Sequence, residues 1–468
     1  MDTIRSTQAG KRIIGQAIER GWERMHQSFL SLFKRILYAL ILFALLLFDV
    51  PSVARAEDAP GLDLNVRAAI LMETETGQIL YAQDPDTPYP PASMTKMMAE
   101  YLVLESIKNG KIHWDDRVVA SDYVYFLGKD KGSRVFINQS EERTVRELFA
   151  AMAIYSANDA TAMLAEYIAG SETAFVQMMN EKARAFGMEH THFVTSSGYP
   201  EDDLGPYRPN IEGEQMMSAR DAAILGWHLI TDFPEVTEFT ATPKAVFREG
   251  EKNPVNMLNW NKLLPGMPFY YEGADGLKTG HTSAAKWSIT ATAKRGDMRL
   301  VAVIIGAESE DERFTNVRRL FDYGFNNFSR VQVLSHGDVV PGYETLKVSG
   351  GKRKDVSLVT DAALHVMWPK GETIDVTADM FSVTLDADKA VAPLKAGTVL
   401  GYVQLKHHRY PLILEQGMGE NSGPEVALVS REDVERASPI ALFFRAIGSF
   451  IADLWNSIMQ AIGGWFGK

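Results

Sequence analysis

Apolar spacing changes character several times along the chain. In residues 66–84, "VRAAILMETETGQILYAQD", two apolar runs flank Gly77, which predicts a pair of strands joined by a turn. Residues 93–108 switch to helical spacing and stop at Asn109-Gly110. Helical spacing returns from about 144 to 187 in two segments, "TVRELFAAMAIYSANDATAMLAEYIAG" and "SETAFVQMMNEKARAFG", and again over 218–233. Between 275 and 306, "ADGLKTGHT", "WSITATAKR" and "MRLVAVIIGA" read as consecutive antiparallel strands, the last two turning at Gly296-Asp297, and a helix comes next near 311–324. Strands at both ends of a helical middle predict an α+β domain over 57–328. Beyond Phe328 the texture becomes short β-type runs separated by turns: "VQVLSHGDVV", "TLKVSGG", "DVSLVT", "ALHVMW", "TIDVTA", "FSVTLDA", "GTVLGYVQL" and "RYPLILEQG". These predict a separate small all-β domain over 329–432.

The two ends differ from everything between them. Residues 36–48 are an unbroken apolar run behind Lys34-Arg35, short for a membrane span, and Ala54 and Ala56 form an A-x-A pattern after it. This predicts a secretory leader over 1–56, although its long positive front keeps an uncleaved anchor open; either way the remainder of the chain lies outside the cytoplasm. At the other end, residues 433–468 include Ser438 as an N-cap and Pro439 as a first helical residue. Ile440, Phe443, Phe444, Ile447, Ile451, Leu454, Trp455, Ile458, Ile462 and Trp465 form a wide apolar arc, with Arg445, Ser449, Asp453, Asn456 and Gln460 opposite. The arc predicts an amphipathic helix lying in a membrane surface, with docking on protein as the alternative.

Composition narrows the chemistry. The net charge of −12, from 48 basic and 60 acidic residues, and the lack of a basic patch with interleaved aromatics argue against a nucleic-acid partner. With no cysteine, thiol catalysis, disulfides and Cys-ligated metals are excluded, which suits an exported protein. The one adjacent histidine pair, His407-His408, lacks a metal-site spacing, so neither a metal nor a cofactor is expected.

The candidate chemistry sits at the start of the first helix, "PASMTKMMAEY". Ser-x-x-Lys occurs four times, at Ser31/Lys34, Ser93/Lys96, Ser283/Lys286 and Ser349/Lys352. Ser93 alone follows a Pro-Ala turn and opens a helix, where backbone N–H groups can face a developing oxyanion and the i, i+3 spacing puts Lys96 on its face. Deprotonating an ordinary lysine at pH 7 costs about 4.6 kcal/mol. Burial among Met94, Met97 and Met98 would lower that cost, and so would a second cation. Two further patterns stand in chain order behind the first: Ser156-Ala157-Asn158, and Lys278-Thr279-Gly280 on a predicted strand. Singly they read as a helix cap and a strand corner; together they form the three-part signature of an active-site serine enzyme.

With these motifs and the segments "THF", "SARDAAILG", "DGLKTGHT" and "MRLVAVIIGA", the chain resembles the low-molecular-mass penicillin-binding proteins, D-alanyl-D-alanine carboxypeptidases of the penicillin-recognising serine fold. The resemblance runs from about Leu64 to the C-terminus. It implies an antiparallel sheet flanked by helices plus a helical lobe, then a small β domain and the amphipathic helix. It further implies that Ser93 attacks the penultimate D-Ala carbonyl, Lys96 takes its proton, Ser156 relays a proton to the departing amine, and Asn158 holds Lys96 and the substrate amide. Lys278, Thr279 and Gly280 would bind the terminal carboxylate, and the N–H groups of Ser93 and His281 would form the oxyanion hole. Arg313 falls where the family carries an arginine near the carboxylate, with a surface helix arginine as the other reading. The implied partners are peptidoglycan stem peptides, β-lactam antibiotics and the outer face of a bacterial membrane.

Three other readings compete. A class A β-lactamase would carry E-x-x-x-N after the second motif, and residues 159–230 contain none. A non-catalytic wall-binding or β-lactam-sensing protein would have no need of the intact motifs. A DD-endopeptidase acting on cross-links would use the same chemistry. One departure bears on substrate choice: residues 197–215, "SGYPEDDLGPYRPNIEGEQ", are longer and more acidic than the family pattern.

Overall fold

The computed structural model describes residues 62–129, 132–405, 409–413 and 425–445, with 447, 451 and 455. The predicted leader at 1–56 and the end of the terminal helix lie outside them.

A five-stranded antiparallel sheet carries the first domain. Its strands are β1 (Ala68–Glu73), β2 (Ile79–Gln83), β3 (Ala274–Thr282), β4 (Lys286–Arg295) and β5 (Met298–Ala307), in the order β2-β1-β5-β4-β3. The first and last strands of this domain in sequence, β1 and β5, therefore lie side by side, where Ile70 pairs with Val303. The central strands look continuously apolar because both faces are covered. Ala68, Ile70, Met72, Val301, Val303 and Ile305 face the helical lobe, whereas Ala69, Leu71, Leu300, Ala302 and Ile304 face the opposite layer.

The lobe holds α1 (Lys96–Lys108), α2 (Asp122–Lys129), α3 (Val145–Tyr155), α4 (Asn158–Ala169), α5 (Glu172–Ala185) and α6 (Ala219–Asp232). Thr144 and Glu147 form a capping box at the start of α3. The opposite layer is α7 (Glu310–Asn327), capped by Ser309, whose Phe314, Val317, Leu320 and Phe321 are fully buried against the sheet. The two helical segments expected over 144–187 are three helices: Ser156 takes a left-handed conformation at φ 62° and separates α3 from α4.

The second domain begins directly after α7. Strands β6 (Phe328–Leu334), β7 (Thr345–Lys347), β8 (Asp355–Thr360), β9 (Leu364–Pro369), β10 (Phe381–Leu385), β11 (Val399–Leu405) and β12 (Glu425–Ser430) make a β6-β9 pair and a five-stranded sheet in the order β7-β8-β12-β11-β10. Two predicted runs form no strand among the described residues. Residues 373–378 are irregular and largely exposed, because only Ile374 reaches the core. In 409–413 a single bridge joins Leu412 to Gln78 of the first domain. Gln78 Oε1 also accepts the Met367 N–H at 2.6 Å, and Arg330 reaches Asp297 at 2.8 Å, so the β1–β2 turn and β5 edge hold the second domain.

Candidate active site

Pro91 ends the segment before α1, and Ala92–Thr95 form a tight 3-10 turn that delivers Ser93 to the helix start. Lys96, the first residue of α1, is fully buried among Met94, Met97 and Met98. Its Nζ lies 2.7 Å from Asn158 Oδ1, 2.7 Å from the Ser197 carbonyl and 3.2 Å from Ser93 Oγ. Two of these partners can only accept. A neutral lysine has two N–H groups and one lone pair, so donating both to Asn158 and Ser197 leaves the lone pair for the Ser93 hydroxyl proton. Burial and then the neighbouring charge of Lys278 hold Lys96 well below the ordinary lysine range, against the opposing pull of Glu100, Asp159 and Glu172.

The break between α3 and α4 places the second motif. Ser156 caps α3, and its buried Oγ has no protein hydrogen-bond partner. Asn158 opens α4 with its amide turned to Lys96. The third motif arrives on β3. Gly280 passes so close to the serine turn that a Cβ there would sit 2.5 Å from the Pro91 carbonyl, so no larger residue brings the strand this near. Gly198, at φ 73°, is equally constrained: a Cβ would fall 1.9 Å from Ala92 O, and the tight approach aims the Ser197 carbonyl at Lys96.

Lys278 is buried, and desolvation lowers it to about 8, helped by Arg313 and opposed by Glu100. Arg313 lies inside, not on the outer face of its helix: it is 2% exposed, stacks over Trp287 at 5.1 Å, and approaches the carbonyls of Ser288 and Gly280 at 3.3 and 3.5 Å. The His281 ring stacks on Trp287 with centroids 3.8 Å apart. Burial and then Arg313 lower its pKa below the usual value. Ser93, Ser156, Asn158, Thr279, Gly280, His281 and Arg313 all line one cleft of about 810 Å³. Lys96 and Lys278, both buried, do not line the cleft themselves; Lys96 reaches it through Ser93 Oγ and Asn158, which do. A lining hydroxyl backed by a buried amine and flanked by polar donors is suited to acyl transfer from a substrate that ends in an anion.

Comparison with known proteins gives the same answer. Residues 53–309 match the family model Peptidase_S11, D-alanyl-D-alanine carboxypeptidase, and residues 328–436 match the penicillin-binding protein 5 C-terminal domain. The chain belongs to the S11 family of D-alanyl-D-alanine carboxypeptidases. The D-alanyl-D-alanine carboxypeptidase DacF of Bacillus subtilis is 32% identical over 420 residues, covering 89% of this chain and 99% of its own. DacC of Escherichia coli is 30% identical, covering 91% and 96%. Among solved structures, penicillin binding protein 5 of Haemophilus influenzae superposes with a TM-score of 0.61 at 30% identity, covering 80% and 98%. A peptidoglycan synthesis regulatory factor (PBP3) of Streptococcus pneumoniae reaches 0.68 at 31%, covering 80% and 100%.

Within this cleft of the S11 chain some groups carry no motif. The Ser197 carbonyl is a backbone group and has no residue signature. Tyr199, Asp203 and Trp260 form the outer wall of the cleft, two of them from the long acidic segment. Glu100 is fully buried one helical turn beyond Lys96, and an acid within the apolar stretch "MMAEYLVL" was the available signal.

Proposed function

We propose that this serine-type D-Ala-D-Ala carboxypeptidase removes the terminal D-alanine of peptidoglycan pentapeptides through an acyl-enzyme on Ser93. The observation that carries the reading is the arrangement at Lys96, whose two fixed acceptors leave one direction open, toward Ser93 Oγ. Ser93 Oγ attacks the penultimate carbonyl as Lys96 Nζ takes its proton. The backbone N–H groups of Ser93 and His281 receive the oxyanion, a contribution of about 3–4 kcal/mol. Ser156, with its unengaged hydroxyl, passes a proton to the departing D-alanine amine, and Asn158 holds both Lys96 and the substrate amide. Lys278, Thr279 and Gly280 bind the terminal carboxylate, with Arg313 adding positive potential behind them. Water then attacks the ester by the same route. The same serine takes up β-lactams, a reading supported by the penicillin-binding names of the relatives.

Purified protein incubated with a D-Ala-D-Ala-terminated peptide should release D-alanine, and Ser93→Ala should release none and form no penicillin adduct. Adduct formation without D-alanine release would point to endopeptidase action on cross-links or to a sensor; neither would mean the motif reading is wrong.

We further infer that the terminal helix rests on the outer surface of a bacterial membrane. Ser438 caps it through the Ala441 N–H at 3.2 Å, and Arg445 clasps the Gly351 and Lys352 carbonyls at 2.6 and 2.8 Å. Ile440, Phe443, Phe444, Ile451 and Trp455 point to solvent, each at least 59% exposed. No helix among the described residues is long and apolar enough to cross a membrane. Deleting 438–468 should abolish binding to anionic vesicles while D-alanine release persists; loss of both together would contradict a separate anchor.

A further inference from the structure

Ten charged side chains are buried among the described residues, and nearly all have an assigned partner. Asp159 accepts the N–H groups of Val135, Ile137 and Ala160 at 3.0–3.2 Å. Glu172 accepts the N–H and hydroxyl of Ser196 at 2.7 and 2.9 Å. Glu100 is the exception. It is fully buried, and neither of its oxygens has a protein hydrogen-bond partner. Leaving a carboxyl in that state costs several kcal/mol unless its charge is used.

Its position indicates the use. Glu100 follows Lys96 by four residues on α1, so both side chains emerge on one face. That helix packs against β3, which carries Lys278. Lys278 and Lys96 are the charges that act on Glu100; α3, α4, α5 and α6 also pack on α1 and bring none to bear on it. Asp159 and Glu172, from α4 and α5, act on Lys96, and Arg313, from α7, acts on Lys278.

We propose that Glu100 is a positioning residue for the two site lysines: its buried carboxylate is the counter-charge that keeps Lys278 an ammonium for the substrate carboxylate while Lys96 stands beside it as a free amine. With Lys96 neutral, the carboxylate and the Lys278 ammonium cancel. Without the carboxylate, Lys278 keeps only the like charge of Arg313 and Lys96 keeps only Asp159 and Glu172 as opposing charges, so both give up protons more readily. Glu100 itself is raised to about 7 by burial, so it is ionised over the range where Lys278 titrates, near 8.

The sign of the effect is set by the two roles. Lys278 acts as a cation, so activity falls as pH rises through its pKa; Lys96 acts as a base, so activity appears as pH rises through its own. Removing the Glu100 charge lowers both pKa values and moves both limbs toward acid. The acid limb moves less, because Glu100 is already partly protonated there.

The test is the pH profile of kcat/KM for D-alanine release, with penicillin acylation measured in parallel, on full-length wild type, Glu100→Gln and Glu100→Asp. The alkaline limb of Glu100→Gln should shift down by about one pH unit, and Glu100→Asp, which restores a carboxylate, should return it toward wild type. Glu100→Met, uncharged and of similar length, gives the same reading should the glutamine variant fail to fold. Limbs that stay in place, or a rate lowered equally at every pH, would overturn the proposal and leave Glu100 a packing residue. The inference rests on Lys96 as base and Lys278 as carboxylate anchor. A wild type with neither D-alanine release nor acylation would overturn both, whereas an active wild type with unmoved variant limbs overturns this proposal alone.

Discussion

The two domains treat buried charge in opposite ways. In the catalytic domain Glu73, Lys96, Glu100, Arg143, Asp159, Glu172, Asp221, Arg248, Lys278 and Arg313 are all buried. Among the described residues of the β domain, the buried polar side chains are Thr360, Gln404 and Ser430, none of them charged. Its ion pairs, such as Lys352–Glu435 and Lys395–Asp433, lie at the surface. Taking an ion out of water costs several kcal/mol even after relaxation. A fold retains such groups where they do chemistry or fix a segment that chemistry needs. Among its described residues the β domain has two small apolar clusters and a neutral interior.

The largest test of that contrast is Lys96→Met, which keeps the volume and removes the proposed base. Loss of a general base costs about 10²–10⁴-fold in rate, and Lys96 also orients Asn158, so the upper end is expected. D-alanine release and penicillin-adduct mass measure it, with circular dichroism to establish that the variant is folded. Activity within tenfold of wild type would mean that this buried charge does no chemistry, and the contrast would lose its main support.

Not every buried charge in the catalytic domain touches substrate. Glu141 joins Arg143 and Arg248, accepting from the Nε of each at 2.7 Å. Arg248 in turn donates to the carbonyls of Val135 and Phe136 at 3.0 and 2.8 Å, fixing the segment that continues from Gly132 and Ser133 on the cleft wall. Burial opposes ionisation of Glu141, yet the donors from Arg248, Asn138 and Arg143 together hold it down to about 2. Its folded pKa lies below its unfolded one, so this stabilisation is present above the unfolded value and is lost as pH falls toward 2. Glu141→Gln should cost about 2 kcal/mol at pH 7, less than a fully buried pair because solvent screens part of it. The variant's melting temperature should also depend less on pH between about 4.5 and 2. An unchanged slope in that window would assign the acid sensitivity to other carboxylates.

How much of this could be read from the sequence depended on whether a feature is local. Ser93 and Lys96 share a helix face, and Ser156, Asn158 and Lys278-Thr279-Gly280 stand in short recognisable patterns. The sheet was legible as strands but not in its order, since β1 and β5 are neighbours although the whole lobe separates them in sequence. The Ser197 carbonyl was invisible because a backbone acceptor has no residue type. The division at Ser156 was legible only as the cap reading of Ser156 and Asn158, because α3 is apolar up to Tyr155 while Asn158-Asp159 open α4. In the β domain, 373–378 alternates like a strand but has no neighbour to pair with, while Glu425–Ser430, outside the predicted runs, became a central strand between β8 and β11. Alternation reports which residues suit a sheet, and only the tertiary fold supplies the partner.

The smallest expected effect comes from the β-domain surface. Lys395 and Asp433 meet at 2.8 Å, with side chains 82% and 52% exposed. Asp433 also accepts the Ala396 N–H at 2.8 Å, a bond that survives loss of the lysine. An exposed pair gains little Coulomb energy in water and gives up side-chain freedom to form. Lys395→Ala should therefore leave the melting temperature, the pH profile and D-alanine release where they are. Thermal melts at low and high salt give the sharper version, since a pair that mattered would stabilise the wild type more at low salt than the variant. If that difference appeared, the β domain would depend on its surface charges for stability, and its neutral interior would no longer be enough to explain how it holds together.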